Sequence, residues 1–449
     1  MLPEVSRAEP SNNKPCPDQT APRHQQYQES NTMKKLLLAS LFAIAGVSGL
    51  HAEETEIRVH YAIPTIWADT QKALADGFMA KHPYVKITID GPADGYEDGV
   101  QRLLRESVAG TAPDVAYVGL NLWRVLEDRG LAQPLDSFIG SDALAQGYTP
   151  ALLSLGRFED KQYALATSAS TLVMYVNPTL VEKAGGSMDN FPDTFDGVIE
   201  LAAKINALDN ATDGVWISPH DWRYQSLLGS YGGRPMNADE SDITFDSPEG
   251  IEAAGLYQRF ANEAGMKSYS ENDARQTFPA GRLGIMFESS SLQKRFTEGA
   301  GGKFDVTVKP LPIAASDKSK VYFPTGGSAI VMLTADEAKQ KAAWEYMAFV
   351  TGPEGQKIVV ENTGYAPANA KVIEDKSYLG DFYAGNPNAL VAHTQIANYA
   401  GPWYAYPGAE GVAATDQIAA ALVEVTEGAD PSATIKDLAE TLRGLLGMK

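Results

Sequence analysis

Cysteine is all but missing from this 449-residue chain: Cys16 is the only one. No intrachain disulfide can form, and no cysteine-based metal site is expected. Positive charge is also scarce, with 37 Lys and Arg against 57 Asp and Glu. Five of those basic and four of those acidic residues precede Glu53, so the chain from there on carries 32 against 53, a formal charge of −21. Such a surface repels phosphate backbones and anionic lipid, which makes nucleic acid and membranes poor partners. Long apolar runs are missing too: the longest, Leu36 to Leu50, is too short to span a bilayer comfortably. Neither G-x-S-x-G nor H-E-x-x-H occurs. Asp90, Asp94 and Asp98 lack the alternation of a calcium loop, and Asn237 to Asp242 lacks its central glycine and final glutamate. No metal and no cofactor are expected.

Residues 1–32 are polar and proline-rich without periodicity. Met33 opens "MKKLLLASLFAIAGVSGLHA", with two lysines, an apolar stretch and a small residue, Ala52, at a plausible cleavage point; residues 33–52 therefore read as a secretory signal. Because a signal begins a chain, residues 1–32 are expected to be an over-extended start. Absence of a cysteine after the signal argues against a lipid anchor and for a free periplasmic product.

The remainder has ordinary globular composition, 44% hydrophobic and 21% charged, and is long enough for two lobes. Ile57, Val59, Tyr61 and Ile63 alternate; Leu74 and Phe78 share a helical stripe that stops at Pro83; "VKITID" alternates again. Val100, Leu103, Leu104 and Val108 then fall at helical spacing before the apolar run "PDVAYVGL". Strand–helix–strand–helix–strand predicts an α/β fold with a parallel sheet. Its ligands would lie beyond the carboxyl ends of the strands, around Tyr61 to Trp67, Asp90 to Glu97 and Gly119 to Trp123, a stretch that includes Asn121. A second α/β region follows "YALATSASTLVMYVNP", and the last 80 or so residues read as helical.

The pieces "FMAKHPYVKITID", "GTAPDVAYVG", "LEDRGLAQPLDSFI", "STLVMYVNP", "TFPAGRLGIMFESSS", "PTGGSAIVM" and "ENTGYAPANA" occur in order along nearly the whole chain after the signal. This arrangement resembles the family 1 extracellular solute-binding proteins of ABC importers, which are maltose-binding-protein-like, and within them the glycerol-3-phosphate-binding branch. The resemblance implies a two-lobed periplasmic binding protein fold with a hinge of crossing segments near Ala166–Ser170, Thr325–Ser328 and Pro367–Ala370. The lobes would comprise 53–167 with 328–367, and 168–327 with 368–449. It also implies a monomer that delivers a small carbohydrate to the transmembrane permease subunits of an importer, and no catalysis.

Trp222, at a family cleft position, is expected either to stack on a sugar face or to pack in the core. Tyr365 is set against ligand or hinge. Ser168, Ser170, Ser289, Ser290, Gly326 and Gly327, with Ser328, line the cleft by resemblance, although turn chemistry accounts for the same composition. Tyr96 and Glu97 match a Tyr-Glu pair of that branch. Glu97 is expected to be a hydroxyl acceptor or simply a carboxylate at a helix N-terminus. Asp114 reads as structural, and His60 or His220 could face the cleft.

Trp403, Tyr404 and Tyr406 sit in the Gly/Pro-rich "GPWYAYPGAEG", exposed for ligand or covering the C-terminal core. From Ser377 to Ile435 there is no Lys or Arg. The glycerol-phosphate branch uses an arginine from this region for its phosphate; here Glu410 stands in the corresponding stretch. A neutral sugar, polyol or oligosaccharide is therefore expected, with glycerol-3-phosphate or a glycerophosphodiester as the alternative should Arg223 supply the charge. A secreted glycoside-acting enzyme is the reading from another class. Its S-x-x-K at Ser291–Lys294 is a loose pattern, and paired carboxylates stay open because their test is a distance in space.

Overall fold

A computed structural model describes residues 54–140, 146–407 and 410–448. The signal segment, its polar prefix and Cys16 lie outside the described residues.

One sheet has five strands in the order Val85–Ile89, Thr55–His60, Val115–Gly119, Ser328–Met332, Ala164–Ala166. The first three are parallel, and Ser328–Met332 runs antiparallel to both of its neighbours. The crossover helices Pro64–Lys81 and Tyr96–Val108 fall where the apolar spacing predicts them. Ile57, Val59, Val115 and Tyr117 pack with Leu74, Phe78 and Tyr346 in one apolar cluster; Ala116, Val118 and Val331 pack with Val100 and Leu103 in another. Alternate residues of one strand thus enter different clusters, as a sheet buried on both faces requires. Val108 does not join this pattern. At the carboxyl end of its helix it is 91% exposed, because the stripe runs out before the helix does.

The second sheet has four strands in the order Thr307–Lys309, Leu172–Val176, Leu283–Ser289, Asp213–Ile217. The helix Pro248–Asn262 contributes Tyr257 and Phe260 to its larger core, which Ile418, Leu422, Leu438 and Leu442 of the helices Gly411–Thr426 and Pro431–Leu446 complete.

The chain leaves the first sheet at Ala166, enters the second at Leu172, and returns between Lys309 and Ser328. Where these passes meet, Ala169 pairs with Ala366, Ser170 pairs with Gly326, and the Thr167 N–H donates to the Ser328 carbonyl at 2.8 Å. Gly327 has φ +121°, and a Cβ there would lie 2.3 Å from the Ser168 carbonyl oxygen. Replacing Gly327 by alanine is expected to cost about 2 kcal/mol or more, from a forbidden φ and a backbone clash together. A urea denaturation midpoint equal to that of the parent protein would refute this.

Candidate functional site

Two groups of side chains gather beside these crossings. The first lies at the carboxyl ends of the parallel strands. Trp67, in the first turn-and-a-half of the helix Pro64–Lys81, stacks on Tyr365 with centroids 5.6 Å apart and 22° between planes. Its indole N–H donates to the Tyr96 hydroxyl at 3.2 Å. That hydroxyl also lies beside those of Tyr365 and Ser328, and the Tyr365 hydroxyl lies beside Ser291. Tyr61 is buried close by in the same core as Trp67 and Tyr365. The turn preceding the helix places Ile63 at φ 57°, a conformation that β-branched residues avoid, and ties it by its N–H to the Ala93 carbonyl. Asn121 has a buried Oδ1 that finds no partner among the described residues. Glu97 is exposed in the first turn of the helix Tyr96–Val108, where a carboxylate suits the macrodipole. Asp114 accepts the Arg58 backbone N–H and pairs with Lys339, a structural assignment.

The second group is built on the helix Asp221–Ser230. His220 caps its N-terminus, accepting the Trp222 N–H on Nδ1. Trp222 is buried, with its indole N–H donating to the Pro324 carbonyl at 3.0 Å and its ring 6.2 Å from that of Trp403. A Cβ on Gly326 would come within 2.8 Å of the Ser170 hydroxyl and 3.1 Å of the Trp222 ring, so glycine is what admits the indole here. The aromatic segment is clasped to this helix. Trp403 donates its indole N–H to Asp221 at 3.1 Å; Gln225 exchanges hydrogen bonds with the backbone of Tyr404 and donates to both Asp221 oxygens. Trp403 and Tyr404 remain half-buried, whereas Tyr406 is buried in the core as part of a cover.

The serines divide by role. Ser168 accepts the Ser328 N–H and Ser290 accepts the Thr171 N–H, which makes both of them backbone clasps. Ser289 is half-buried and pairs its hydroxyl with that of Ser291 at 2.9 Å. Lys294 donates to the Glu361 carbonyl, and among the described residues no hydrogen bond joins it to Ser291. Also among the described residues, no group of His, Cys, Asp or Glu is arranged to hold a metal ion, and no helix is long and apolar enough to cross a membrane. A cavity of about 680 Å³ opens elsewhere, walled by Met174, Phe191, Leu311, Phe323 and Tyr399 and by none of the expected site residues.

Trp67 closes a stretch expected to face ligand but was not singled out there, and Asp221, Glu271, Arg275 and Glu288 were not among the residues expected from sequence. Asp221 and Gln225 are one helical turn apart, but their partners lie about 180 residues downstream, so no local pattern marks them. Arg223 does not reach out freely. Its Nη2 donates to Glu271 at 2.9 Å and to Glu288 at 2.7 Å, and Arg275 pairs with the same two carboxylates.

A model of the bacterial extracellular solute-binding protein family matches residues 66–357, more than half of the chain, and the protein belongs to that family. Among its relatives are a binding protein of Brucella abortus, 27% identical with 91% of this chain and 97% of the relative covered, and the sn-glycerol-3-phosphate-binding periplasmic protein UgpB of Pectobacterium atrosepticum, 23% identical with 82% and 86% covered. Similar solved structures include UgpB from Mycobacterium tuberculosis in complex with glycerophosphocholine (TM-score 0.77, 22% identity, 87% and 98% covered) and the cyclic α-maltosyl-1,6-maltose binding protein from Arthrobacter globiformis (TM-score 0.73, 23% identity, 87% and 99% covered). At these identities they establish the fold, that of the two-lobed periplasmic binding proteins.

Burial sets three unusual titrations. His60 and His220 are both lowered to about 4 by loss of water, with nearby Arg102 and Arg223 respectively adding to the effect. Asp221 is raised to about 6 by burial, against the hydrogen bonds from Gln225 and Trp403. Each histidine contributes stability that is present above its usual 6.5 and lost as pH falls through about 4. Asp221 contributes stability that is present below its usual 3.8 and lost as pH rises through about 6. Two histidines against one aspartate leave the unfolded state about one proton richer between pH ~4 and ~6, so these three groups together make stability rise with pH there. Replacing His60 by glutamine is expected to lower the slope of unfolding free energy against pH in that window by about 1.4 kcal/mol per pH unit. Parallel curves for the two proteins would show that His60 titrates normally.

Proposed function

We propose that this protein is the periplasmic substrate-binding component of an ABC importer. It holds a neutral carbohydrate between two lobes, 53–167 with 328–367 and 168–327 with 368–449, and passes it unchanged to the membrane permease. It is a monomer, carries no lipid anchor and turns nothing over.

The observation that carries this reading is that two aromatic groups, Trp67–Tyr96–Tyr365 and Trp222–Trp403, both adjoin the crossing segments, in a chain whose aromatic segment has no Lys or Arg from Ser377 to Ile435. Sugar rings present apolar C–H faces that lie on such rings, while their hydroxyls need directed partners. Asn121 Oδ1 and the half-buried Ser289 offer these. Lobe closure would bury the ligand and supply most of the affinity. The names of the relatives support ligands of two kinds, maltosides and glycerol phosphates. The uncharged aromatic segment favours the first.

Thermal shift with neutral mono-, di- and trisaccharides, polyols and glycerol-3-phosphate tests the ligand class, since a molecule that binds only the folded state raises the melting temperature. A neutral sugar is expected to give the largest shift, and glycerol-3-phosphate in that place would overturn the reading. With the sugar so found, calorimetry on Trp403→Ala is expected to show binding weakened by about 1–3 kcal/mol. Unchanged affinity would remove Trp403 from the site.

A further inference from the structure

Beside the second aromatic group lies a quartet of charges, Arg223, Arg275, Glu271 and Glu288. Glu288, on the central strand Leu283–Ser289, is buried and divides its two oxygens between the arginines: Oε1 takes Arg223 at 2.7 Å and Oε2 takes Arg275 at 3.1 Å. Burial opposes its ionisation, but Arg223 and Arg275 outweigh that and hold its carboxyl below the usual range. Glu271, in the first turn of the helix Glu271–Thr277, places Oε1 against both guanidiniums from the solvent side, and its side chain is 32% exposed. The quartet is neutral only because Glu271 is there. Without it, one inner carboxylate would face two guanidiniums.

The excess charge would not be hidden. All four groups are within electrostatic reach of His220, whose ring is 6.5 Å from that of Trp403, and Arg275 is within reach of the Tyr365 phenol. Arg223 follows Trp222 in the chain, and Glu288 precedes Ser289, whose hydroxyl pairs with that of Ser291 beside Tyr365, so the quartet adjoins both aromatic groups. Arg223 also keeps a buried Nε–H with no acceptor among the described residues. A guanidinium that water cannot reach binds an anionic oxygen strongly.

We propose that Glu271 is the charge-selecting residue of this cleft. Its carboxylate occupies the place on Arg223 and Arg275 that a ligand phosphate or carboxylate would otherwise take, and so restricts the site to uncharged ligands. This inference rests on the neutral-carbohydrate reading above.

The test is titration calorimetry of glycerol-3-phosphate into the parent protein, Glu271→Gln and the double variant Glu271→Gln/Arg275→Gln, with folding checked by circular dichroism. Glu271→Gln adds one net positive charge while keeping shape, and is expected to tighten glycerol-3-phosphate binding at least about tenfold. The double variant restores neutrality and is expected to lose that gain. A merely structural Glu271 would alter melting temperature without producing a gain that reverses with charge. A folded Glu271→Gln with no gain, or a gain that persists in the double variant, overturns the proposal while the neutral-sugar shift of the parent protein stands on its own. If the parent protein already binds glycerol-3-phosphate more tightly than any neutral sugar, the underlying reading fails as well.

Discussion

Every feature of this site depends on the backbone pairing of the segments that pass between the two sheets. Buried peptide groups must find partners, and here those of Thr167–Ser170 find them in Gly326, Ser328 and Ala366, far away in sequence. That pairing puts Ser328–Met332 into the first sheet, brings Gly326 under the Trp222 ring and holds Tyr365 against Trp67. It also explains why glycine occupies 326 and 327. One position admits an indole and the other adopts a φ that side chains resist, so the small residues serve close approach more than ligand hydrogen bonding.

The aromatic segment after Gly401 shows how a loop without cations can still be held firmly. Asp221 is a buried carboxylate with no basic partner among the described residues, which is costly, and the cost is offset by donors from Gln225 and the Trp403 indole. Its raised pKa is the trace of that incomplete compensation. A few ångströms along the same helix the opposite solution appears. Arg223 is buried too, but between two carboxylates that keep it charged. Buried charges paired within the protein leave little field for a ligand to feel, whereas aromatic faces and uncommitted amides remain available.

The strand–helix alternation from Ile57 to Leu120 was readable because apolar spacing alone sets it: period two for buried strands and near four for the helices that cover them. The parallel order, the positions of the helices and the solute-binding family were legible for that reason, together with the ordered run of family motifs. Val108 shows the limit, since spacing cannot tell where a stripe outruns its partner surface. The fate of individual polar residues was less legible. Ser168 and Ser290 spend their hydroxyls on backbone N–H groups, Tyr406 turns into the core, and Arg223 is sealed by Glu271 and Glu288.

What the amino-acid order settled is therefore composition-level and periodic: an acidic chain without disulfides, α/β layers, and a terminal aromatic stretch lacking any base. What required the folded chain was the set of contacts between residues tens to hundreds of positions apart, such as Asp221 with Trp403, Arg223 with Glu288 and Trp67 with Tyr365. Periodicity is a local property that hydrophobic burial imposes on each segment separately. Whether a given carboxylate, hydroxyl or guanidinium is free for a ligand depends on which distant group reaches it first, and that follows only from how the segments pack.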